Sequence, residues 1–299
     1  MDSKLPLVSI ALCTYNGALY LRQQLESILN QTYYNIELII VDDCSTDDTV
    51  EIITQYTLQN QKIKFFQNEK NLGFNKNFEK AIRFSTGKYI AISDQDDIWA
   101  LNKIETLLNQ ISDNWLIFSN SAYIDEDGKL LNKNLLNNFS LCNKDFKSLL
   151  LYNFVTGHTV LFKKDFLKHV LPLPGLDYYD WYMGFVALYH KKLVYCDTSL
   201  THYRIHQKSF IQNKNSDANL NAVHAAETVH HLTEVSKYKG LSKIDSDLIN
   251  KLKDSFTNNR FGLTLLIYAN YCSFFPDLKP RKGISLLNFA WKYASKRSL

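Results

Sequence analysis

Three carboxylates are crowded into the segment Asp94-Gln95-Asp96-Asp97, directly after a short apolar run. Carboxylates at the end of a buried strand repel one another unless a cation or hydrogen-bond donors compensate their charge. Oxygen ligands suit a hard divalent ion, Mg²⁺ or Mn²⁺, which completes its shell with water and substrate phosphate. The segment therefore predicts a metal-diphosphate site, and a purely structural acidic turn is the alternative.

Two other polar groups follow apolar runs, Thr14-Tyr15-Asn16 and Asp42-Asp43. In an open α/β sheet the ligand crevice lies outside the carboxyl ends of the strands, so these groups should converge with the acidic segment. Taken alone, Asp42-Asp43 also fits the start of a helix, because aspartate is favoured at helix N-caps. Convergence at one sheet edge is therefore the central prediction.

The first hundred residues alternate short β-branched runs with segments of helical period, which indicates βαβ units around a parallel sheet. Right-handed crossovers place the carboxyl ends of such strands on the same edge of the sheet. The predicted strands are Val8–Thr14, Glu37–Asp42, Ile63–Gln67 and Tyr89–Ser93.

Beyond residue 114 the pattern becomes less regular and predicts an α+β elaboration of the first half. We expect a hairpin at Asp127-Gly128, because this dipeptide is typical of tight turns. We also expect a helix near residues 144–152 and strands near residues 159–162 and 193–196.

From about residue 217, apolar residues recur at helical spacing without strand character, which predicts a helical tail. The change of period divides the chain into a catalytic domain over residues 1–215 and a helical C-terminal extension over residues 216–299. Near the end of the chain, basic residues flank an apolar helix that contains Trp291. Such a helix fits peripheral association with anionic lipid on the inner face of the cytoplasmic membrane. Docking of the helix on the catalytic core is the alternative.

The composition bounds the class of protein. With 45% hydrophobic and 21% charged residues, the 299-residue chain has the profile of a packed protein. The net charge of +4 comes without a long run of like charge, so nucleic acid is not the expected partner. Five cysteines without a Cys-x-x-Cys pair favour a reducing, cytoplasmic location without a cysteine zinc site. The longest apolar stretch, residues 261–275, is too short to span a bilayer.

The substrate class follows by elimination among common nucleotide sites. Residues 15–20 contain a single glycine, so the sequence has no G-x-G-x-x-G turn there, and it has no P-loop. A nucleotidyltransferase would need a glycine-rich N-terminal loop with a basic residue, which the same segment does not offer. A nucleotide diphosphate-sugar remains as the predicted ligand. A non-catalytic module that binds such a ligand is the rival class of function.

Four ordered segments resemble the motifs of the family 2 glycosyltransferases. They are Val8 to Gly17, Val41 to Asp47, Asn71-Leu72-Gly73 with Asn77-Phe78, and Ser93 to Trp99. The resemblance extends over about residues 5–210 and is closest to the bacterial rhamnosyltransferase-like branch. It implies a type A glycosyltransferase fold, a Rossmann-like α/β fold with a mostly parallel central sheet, here with a C-terminal helical appendage.

The resemblance also implies the reaction. Family members of this kind are inverting, metal-dependent enzymes that move a sugar from a nucleotide diphosphate-sugar donor to a hydroxyl of a glycan or lipid-linked glycan acceptor. The branch favours dTDP-L-rhamnose as the donor, and a UDP-hexose such as UDP-galactose or UDP-glucose is the alternative. The implied acceptors belong to capsule, O-antigen or other cell-surface polysaccharide assembly.

Carried over residue by residue, the resemblance assigns the nucleotide contacts. Tyr15 borders the nucleobase and Asp43 accepts from the pyrimidine N–H, with Asp42 as the weaker candidate. Asp94 contacts the ribose. For Asn77, an ordinary position at a helix start is the alternative to a place in the cleft. The residues implied to line the nucleotide-sugar cleft are Thr14, Asn16, Asn71, Gly73, Asn77, Gln95 and His158.

The metal and the leaving diphosphate are assigned in the same way. Asp96 matches the final acid of the family's Asp-x-Asp motif, so the resemblance implies a direct metal ligand there, with Asp94, Asp97 and His206 beside it. Arg204 and His206 alternate on a predicted strand and share a face that would reach the diphosphate. A purely structural histidine is the alternative for His206.

An inverting displacement needs a carboxylate opposite the leaving diphosphate, where it takes the proton of the acceptor hydroxyl. Asp180, in Tyr179-Asp180-Trp181 at the start of a predicted helix, resembles the family's acid motif that supplies this general base. Asp177 is the reserve candidate. From its position alone, Asp180 also fits an ordinary helix cap.

Overall fold

The computed structural model describes residues 5–175, 178–206 and 220–297, and these residues divide into two compact units. The first unit takes the described residues up to 138, then 155–180 and 190–206; the second takes 139–154, 181–189 and those beyond 206. The boundary predicted near residue 215 and the reserve base Asp177 lie outside the described residues. The division into domains stays a prediction.

The first unit is built on one sheet. Its strands are β1 (Val8–Thr14), β2 (Ile36–Asp42), β3 (Ile63–Gln67), β4 (Tyr89–Ser93), β5 (Ile98–Trp99), β6 (Leu116–Ile124), β7 (Leu130–Asn134), β8 (Val160–Lys163) and β9 (Leu193–Arg204). They run in the order β3-β2-β1-β4-β8-β6-β9-β5, and β7 pairs with β6.

The four strands predicted in the first hundred residues are confirmed, and β2 begins one residue earlier than expected, at Ile36. Every residue of β1 and β2 is buried, as expected for central strands covered on both faces. The parallel register places Thr14 beside Asp42, and Asp42 beside Gln67. The carboxyl ends of β1, β2 and β3 therefore share one edge of the sheet.

The sheet as a whole is mixed rather than mostly parallel. The strands β1 to β4 are parallel to their neighbours in this group, and β6 is parallel to β9. The strand β8 is antiparallel to both β4 and β6, and β5 is antiparallel to β9. The strand β8 lies between β4 and β6 and runs against both, which accounts for two of the antiparallel pairs.

Helices connect the strands of the first unit. They are α1 (Ala18–Leu29), α2 (Thr49–Gln59), α3 (Phe74–Phe84), α4 (Lys103–Ile111) and the short α5 (Leu167–Val170), followed by α6 (Tyr179–Tyr189), which continues into the second unit. The buried residues of α3 are Asn77, Phe78, Ala81 and Ile82, at the spacing of one helix face. This face anchors the start of α3 beside the ends of the strands.

The hairpin predicted at Asp127-Gly128 is confirmed. The strands β6 and β7 pair antiparallel, and the carboxylate of Asp125 accepts from two backbone N–H groups of the turn. Gly128 has a φ of +86°, in the left-handed region that favours glycine. The two strands predicted further on correspond to β8 and to the beginning of β9.

The helix predicted near residues 144–152 is wrong. Only Phe146–Leu149 form a short 3₁₀ helix. Leu149, Leu150 and Leu151 are all buried. An amphipathic α-helix needs a polar face between its apolar positions, and this consecutive apolar run has none.

The second unit is helical over most of the residues described. Its further helices are α7 (Leu220–Ser236), α8 (Lys243–Asn258), α9 (Arg260–Ala269), α10 (Tyr271–Phe274) and α11 (Gly283–Arg297). Side chains cap two of them, because Ser242 accepts from the Asp245 N–H and Asn259 accepts from the Gly262 N–H. The predicted helical tail is confirmed. Within the described ranges, no helix is both long enough and apolar enough to cross a membrane.

Candidate active site

Asp42 closes β2 and is bonded on all sides. Its carboxylate accepts from Thr14 Oγ1 at 2.8 Å and Gln67 Nε2 at 3.4 Å. It also accepts from both the N–H and the hydroxyl of Ser45. A carboxylate offers about four lone-pair positions, so these four donors occupy it. Asp42 therefore ties the ends of three strands together, and it is not a helix N-cap, because α2 begins at Thr49.

Asp43, the next residue, is equally buried but less fully bonded. Its Oδ1 accepts from Asn68 Nδ2 at 2.7 Å and from Leu72 N at 2.8 Å. Its Oδ2 accepts from Gly73 N at 2.9 Å. Because each carboxylate oxygen has two lone pairs, Oδ2 keeps the capacity for one more donor. This capacity favours Asp43 over Asp42 as the acceptor of a base N–H.

Asn77 supports Asp43 from behind. It is buried in the first turn of α3, where its Nδ2 donates to Val41 O at 2.9 Å and its Oδ1 accepts from Asn68 Nδ2 at 2.9 Å. Asn68 in turn accepts from Lys80 Nζ at 2.7 Å. The sequence analysis missed Asn68 and Lys80. Asn68 directly follows β3, so its place at a strand end was an available signal, whereas Lys80 lies within α3 and outside the motif segments.

The loop that precedes α3 shapes the rim beside Asp43. Asn71 Oδ1 accepts from Gly73 N at 3.0 Å, and Gly73 has a φ of +83°. A residue with a Cβ would be strained in this left-handed conformation. The two residues thus hold the turn whose N–H groups contact Asp43.

Gln95 fastens the acidic segment to the end of β1. Its Oε1 accepts from Tyr15 N at 2.8 Å, and its Nε2 donates to Tyr15 O at 3.0 Å. A Cβ on Gly17 would lie 2.2 Å from Gln95 Oε1, so a larger residue there would displace the Gln95 side chain from Tyr15. Asn16, with a φ of 49°, accepts from Thr46 N at 2.8 Å. The ring of Tyr15 is 48% exposed and accessible to a base.

The acidic segment also contributes to a cluster of three side chains, Asp94, Asp97 and His158. One potential ligand atom from each lies within 4.8 Å of the others. Asp97 Oδ1 accepts from Arg204 N at 3.1 Å, whereas its buried Oδ2 has no hydrogen-bond partner among the residues described. His158 Nδ1 lies 3.9 Å from Asp94 Oδ2, and its Nε2 lies 2.8 Å from Ser121 Oγ. The three side chains form one set of potential metal ligands.

Asp96 points elsewhere and pairs with His206. The distance from Asp96 Oδ2 to His206 Nε2 is 2.9 Å, and the imidazole packs against the ring of Tyr20. The strand β9 ends at Arg204, so His206 follows the strand. The predicted strand face shared by Arg204 and His206 is therefore not formed, although both residues contact the acidic segment.

Arg204 is fixed by protein oxygens. Its guanidinium, almost fully buried, donates to Asp96 O at 2.8 Å, Asp125 O at 3.1 Å and Glu126 O at 2.7 Å. It also donates to Gln23 Oε1 at 2.6 Å. These bonds hold the acidic segment against the turn between β6 and β7. A contact between Arg204 and a diphosphate stays a prediction.

The carboxylates act on one another electrostatically. Burial raises the pKa of Asp94 to about 8, and the charges of Asp96 and Asp180 add to this effect. The pKa of Asp97 is raised by burial and then by Asp96 and Asp94. Burial lowers the pKa of His158 to about 3, so its imidazole is neutral at physiological pH.

Lys103 is a fully buried cation beneath the acidic segment. Its Nζ donates to His158 O at 2.6 Å and to Thr201 Oγ1 at 2.8 Å, and it lies 3.7 Å from the centre of the Trp99 ring. Burial lowers its pKa, and the nearby acids Asp97 and Asp94 raise it. The sequence analysis missed this residue, although its place four residues before the buried Leu107 of α4 was an available signal.

Asp180 lies in the first turn of α6, and its Oδ2 accepts from Gly157 N at 2.8 Å. Its charge raises the pKa of Asp94, so the two carboxylates are close enough to interact electrostatically. A Cβ on Gly157 would lie 2.4 Å from Tyr179 Oη and 3.6 Å from Asp180 Oδ2. The structure therefore brings the candidate base together with the acidic segment.

Comparison with known proteins decides the family. Residues 9–171, more than half of the chain, match the family model described as Glycosyl transferase family 2. An uncharacterized glycosyltransferase of Haemophilus influenzae is 31% identical over 215 residues, which cover 70% of this chain and 84% of the relative. The chain belongs to glycosyl transferase family 2. The predicted family and the transferase class of enzyme are thereby confirmed, while the rhamnosyltransferase branch stays a prediction.

A further relative of this glycosyltransferase comes from Escherichia coli. It is named UDP-Glc:alpha-D-GlcNAc-diphosphoundecaprenol beta-1,3-glucosyltransferase WfaP. The two sequences are 30% identical over 210 residues, which cover 70% of this chain and 81% of the relative.

Solved structures share the fold of the glycosyltransferase. Staphylococcus aureus TarS 1–349 in complex with UDP-GlcNAc has a TM-score of 0.65 at 16% identity, covering 98% of this chain and 90% of that one. Mannosyltransferase PcManGT from Pyrobaculum calidifontis, in complex with GDP-Man and Mn²⁺, has a TM-score of 0.62 at 14% identity, covering 99% and 86%. These likenesses confirm the predicted type A glycosyltransferase fold.

The residues of the glycosyltransferase fit a divalent ion. The buried Oδ2 of Asp97 is an acceptor without a partner among the described residues, and a nearby cation would stabilise the charged forms of Asp94 and Asp97. Carboxylate oxygens are the ligands that Mg²⁺ and Mn²⁺ prefer. The resemblance implies Asp96 as a ligand, with Asp94, Asp97 and His206 beside it. The geometry brings together Asp94, Asp97 and His158, while Asp96 pairs with His206. The choice of ligands and of ion stays a prediction.

Proposed function

We propose that this protein is an inverting, metal-dependent glycosyltransferase that builds a bacterial cell-surface polysaccharide on a lipid-linked precursor. The observation that carries the proposal is the convergence of Asp43, the segment Asp94–Asp97 and Asp180 within one unit of the fold. These groups correspond to the three partners of the reaction, which are the nucleotide, the diphosphate and the acceptor hydroxyl.

In the proposed reaction, Asp43 accepts the N–H of the base, Tyr15 lies against the base and Asp94 approaches the ribose. Asp180 takes the proton of the acceptor hydroxyl while the oxygen of that hydroxyl bonds to the anomeric carbon of the donor sugar. The bond from that carbon to the diphosphate oxygen breaks, and the nucleoside diphosphate leaves with the electron pair. Attack from the face opposite the leaving group inverts the anomeric configuration.

The divalent ion that Asp96 and its neighbours would hold supplies, when bound, positive charge to offset the charge that grows on the diphosphate. Arg204 positions the acidic segment through its bond to Asp96 O. Lys103 fixes the His158 backbone, and its charged form lowers the pKa of Asp94.

We infer that the donor is a UDP-hexose. The name of the Escherichia coli relative WfaP supports this choice, because it specifies UDP-glucose and a diphosphoundecaprenol acceptor. The second candidate is dTDP-L-rhamnose, supported by the segment Ser93–Trp99. Uracil and thymine each present one ring N–H to a carboxylate, so the proposed role of Asp43 fits both donors.

The proposal extends to the domains of the chain and to the place where the enzyme works. We infer a catalytic domain over residues 1–215, a helical extension over residues 216–299, and work at the cytoplasmic face of the membrane, where a lipid-linked acceptor would be presented. The helical character of the described C-terminal residues supports the extension. The match of the family to residues 9–171 supports the catalytic part.

The first test is a thermal-shift series on the full chain with UDP-glucose, UDP-galactose, dTDP-L-rhamnose and GDP-mannose, each with Mn²⁺ or with EDTA. A ligand that binds only the folded state raises the melting temperature. We expect the largest rise with a UDP-hexose and only in the presence of Mn²⁺. A largest rise with dTDP-L-rhamnose would select the second donor, and no rise with any nucleotide-sugar would overturn the proposal.

The second test is the substitution Asp180→Asn, with the exposed Asp165→Asn as the matched control. We expect Asp180→Asn to bind the donor normally and to lose transfer by at least about 100-fold, the contribution of a general base. The control should transfer sugar like the unaltered protein. Near-normal transfer by Asp180→Asn would reject its role as the base. Unaltered protein that binds donor but neither transfers nor hydrolyses it would indicate the rival binding module.

A further inference from the structure

We propose that α9 and α11 form a docking surface for membranes that contain anionic phospholipid. The surface consists of an apolar patch, made of Phe261, Leu265, Tyr268, Ile284, Leu287 and Trp291, and an adjoining row of cations. This row is made of Arg281, just before α11, and of Lys292, Lys296 and Arg297 on it. The inference rests on the proposed function only in that a lipid-linked acceptor would lie in such a membrane.

The apolar patch is regular on both helices. On α9, Phe261, Leu265 and Tyr268 follow at spacings of four and three, which places them on one helix face. Phe261 is 65% exposed, and the other two side chains are also exposed. Single exposed apolar residues are common, but a contiguous group at helical spacing marks a surface that meets another apolar phase.

The helix α11 repeats the pattern with Ile284, Leu287 and Trp291, at spacings of three and four. Ile284 is 79% exposed, and Leu287 and Trp291 are each 47% exposed. The buried side chains of α11 are Ala290, Tyr293 and Ala294, and the exposed row borders them, because Leu287 lies two turns before Ala294. The row itself stays exposed beside the face that packs into the helical unit.

Arg260 joins the two apolar rows. Its guanidinium carbon lies 4.2 Å from the centre of the Trp291 ring, and its Nη2 donates to Ser295 Oγ. The start of α9 is thus held against the later part of α11. The two apolar rows therefore lie on neighbouring helices, and the contact between these helices includes the cation Arg260.

The row of cations lies next to the apolar row on α11. Arg281, Lys292, Lys296 and Arg297 line an open groove of about 750 Å³, together with Ile284, which belongs to the apolar row. A helix with apolar and Trp side chains on one face and Lys and Arg on the next is typical of segments that lie in the membrane interface.

The charge distribution favours lipid over other occupants. Residues 279–299 contain six Lys and Arg and no Asp or Glu, a net charge of +6 against +4 for the whole chain. The remaining residues are therefore net negative, so the attraction to an anionic surface is concentrated at this end of the sequence. Each Lys or Arg near such a surface strengthens binding by about fivefold. A neutral protein partner or a second copy of this cationic segment would not use that charge.

The test uses the full chain and vesicles of phosphatidylcholine, alone or mixed with phosphatidylglycerol, with co-sedimentation as the readout. We expect binding to the mixed vesicles, little binding to phosphatidylcholine alone, and weaker binding as salt is raised, because salt screens exposed charges. Brominated lipid should quench the fluorescence of Trp291, since Trp99 and Trp181 are buried and the half-buried Trp115 belongs to the first unit. The substitution Trp291→Phe should remove most of that quenching.

Two pairs of variants separate the apolar and electrostatic contributions. Ile284→Ser with Leu287→Ser should weaken vesicle binding at least about tenfold, whereas Leu58→Ser, at a side chain 84% exposed on α2, should leave it unchanged. Lys292→Gln with Lys296→Gln should weaken it about 25-fold. Lys88→Gln with Lys191→Gln removes the same charge from exposed positions of the first unit and should have little effect.

The proposal is overturned if the unaltered protein does not bind the mixed vesicles, or if both patch variants bind them like their controls. Sedimentation velocity identifies the competing occupant: a dimer that the serine variants dissociate, without a change in vesicle binding, would make the patch an interface between copies. Circular dichroism verifies that each variant is folded. Because transfer to a short soluble acceptor is measured without vesicles, failure of the catalytic proposal and failure of the docking surface are distinguishable.

Discussion

Asp42 and Asp43 are adjacent and buried, yet their surroundings give them different capacities. Asp42 accepts from four donors, two of them on Ser45, whereas Asp43 accepts from three and keeps one position on Oδ2. The first carboxylate is thus occupied by the fold. The second is partly left for a ligand.

We expect Asp42→Asn to lower the free energy of unfolding by about 2–3 kcal/mol, because an amide NH₂ would face donors that now meet a carboxylate oxygen. The affinity of the folded variant for UDP should change by less than about threefold. Asp43→Asn should weaken UDP binding at least about tenfold, since a charged acceptor for the base N–H is lost. Isothermal titration and urea unfolding measure both effects. The opposite pattern of affinities would assign the base contact to Asp42.

Gly157 supplies the space in which Tyr179 and Asp180 sit. In Gly157→Ala the new Cβ would lie 2.4 Å from Tyr179 Oη, so the buried Tyr179 side chain, next to Asp180, must move. We expect kcat to fall by about tenfold or more, because displacements of about 1 Å are costly in catalysis. Steady-state kinetics measure the effect. Gly175→Ala is the control, with no atom within 4 Å of its Cβ, and equal kcat values for the two variants would contradict the argument.

At the scale of elements, Glu37 on β2 links neighbouring parts of the sheet. It accepts from Ser9 on β1, from Lys64 on β3 at 2.7 Å, and from both N–H and hydroxyl of Thr86 ahead of β4. Burial alone would raise the pKa of Glu37, but these hydrogen bonds lower it to about 2. The charged side chain therefore stabilises the folded sheet.

This stabilisation depends on pH in a defined direction. The folded pKa of Glu37 is below its ordinary value of 4.5, so the contribution is complete above that pH and is lost as pH falls towards 2. We expect the difference in unfolding free energy between the unaltered protein and Glu37→Gln to shrink by about 2–3 kcal/mol between pH 6 and pH 2. Urea unfolding over this range measures it. The exposed Glu69→Gln is the control, and a difference for Glu37→Gln that stays constant with pH would refute the linkage.

At the scale of the whole molecule, the second unit contains its own buried ionisable group. His231 stacks on Trp181 with ring centres 4.0 Å apart, and its Nε2 lies 2.9 Å from Leu149 O. The indole of Trp181 donates to the same carbonyl at 2.6 Å. Burial lowers the pKa of His231 to about 3. The neutral imidazole of His231 on α7 thus contacts both Trp181 on α6 and the carbonyl of Leu149 in the 3₁₀ helix.

Acid should destabilise this unit at a higher pH than the pH at which protonation of Glu37 destabilises the sheet. Below about pH 6.5 the unfolded chain takes up a proton that folded His231 does not, so the unfolding free energy falls by about 1.4 kcal/mol per pH unit towards pH 3. The buried His158 contributes a slope of its own, so His231→Gln should lose about 1.4 kcal/mol per pH unit of the total, whereas the partly exposed His224→Gln should lose none. Equal slopes for the unaltered protein and His231→Gln between pH 6 and pH 4 would show that His231 is not the group responsible.

Much of the fold follows from local patterns in the sequence. The strands β1 to β4 are short apolar runs, and the parallel connection of such strands brings Thr14, Asp42 and Asp94 to one edge. The family is also a property of sequence, because its motifs are contiguous segments in a fixed order. The helix expected near residues 144–152 is not formed, because Leu149, Leu150 and Leu151 are consecutive and all buried, a run that lacks the period of an amphipathic helix.

The roles of individual site residues were decided by the tertiary structure. The sequence determined that Asp42, Asp43, Arg204 and the acidic segment belong to one region. Only the fold determined that Asp42 is saturated, that Asp43 is not, and that Arg204 is held by carbonyls of residues 96, 125 and 126. Lys103 likewise acquires its role from His158 and Thr201, far along the chain. The reason is physical: apolar period is a local property, whereas the occupancy of each lone pair depends on donors that only long-range packing brings within about 3 Å.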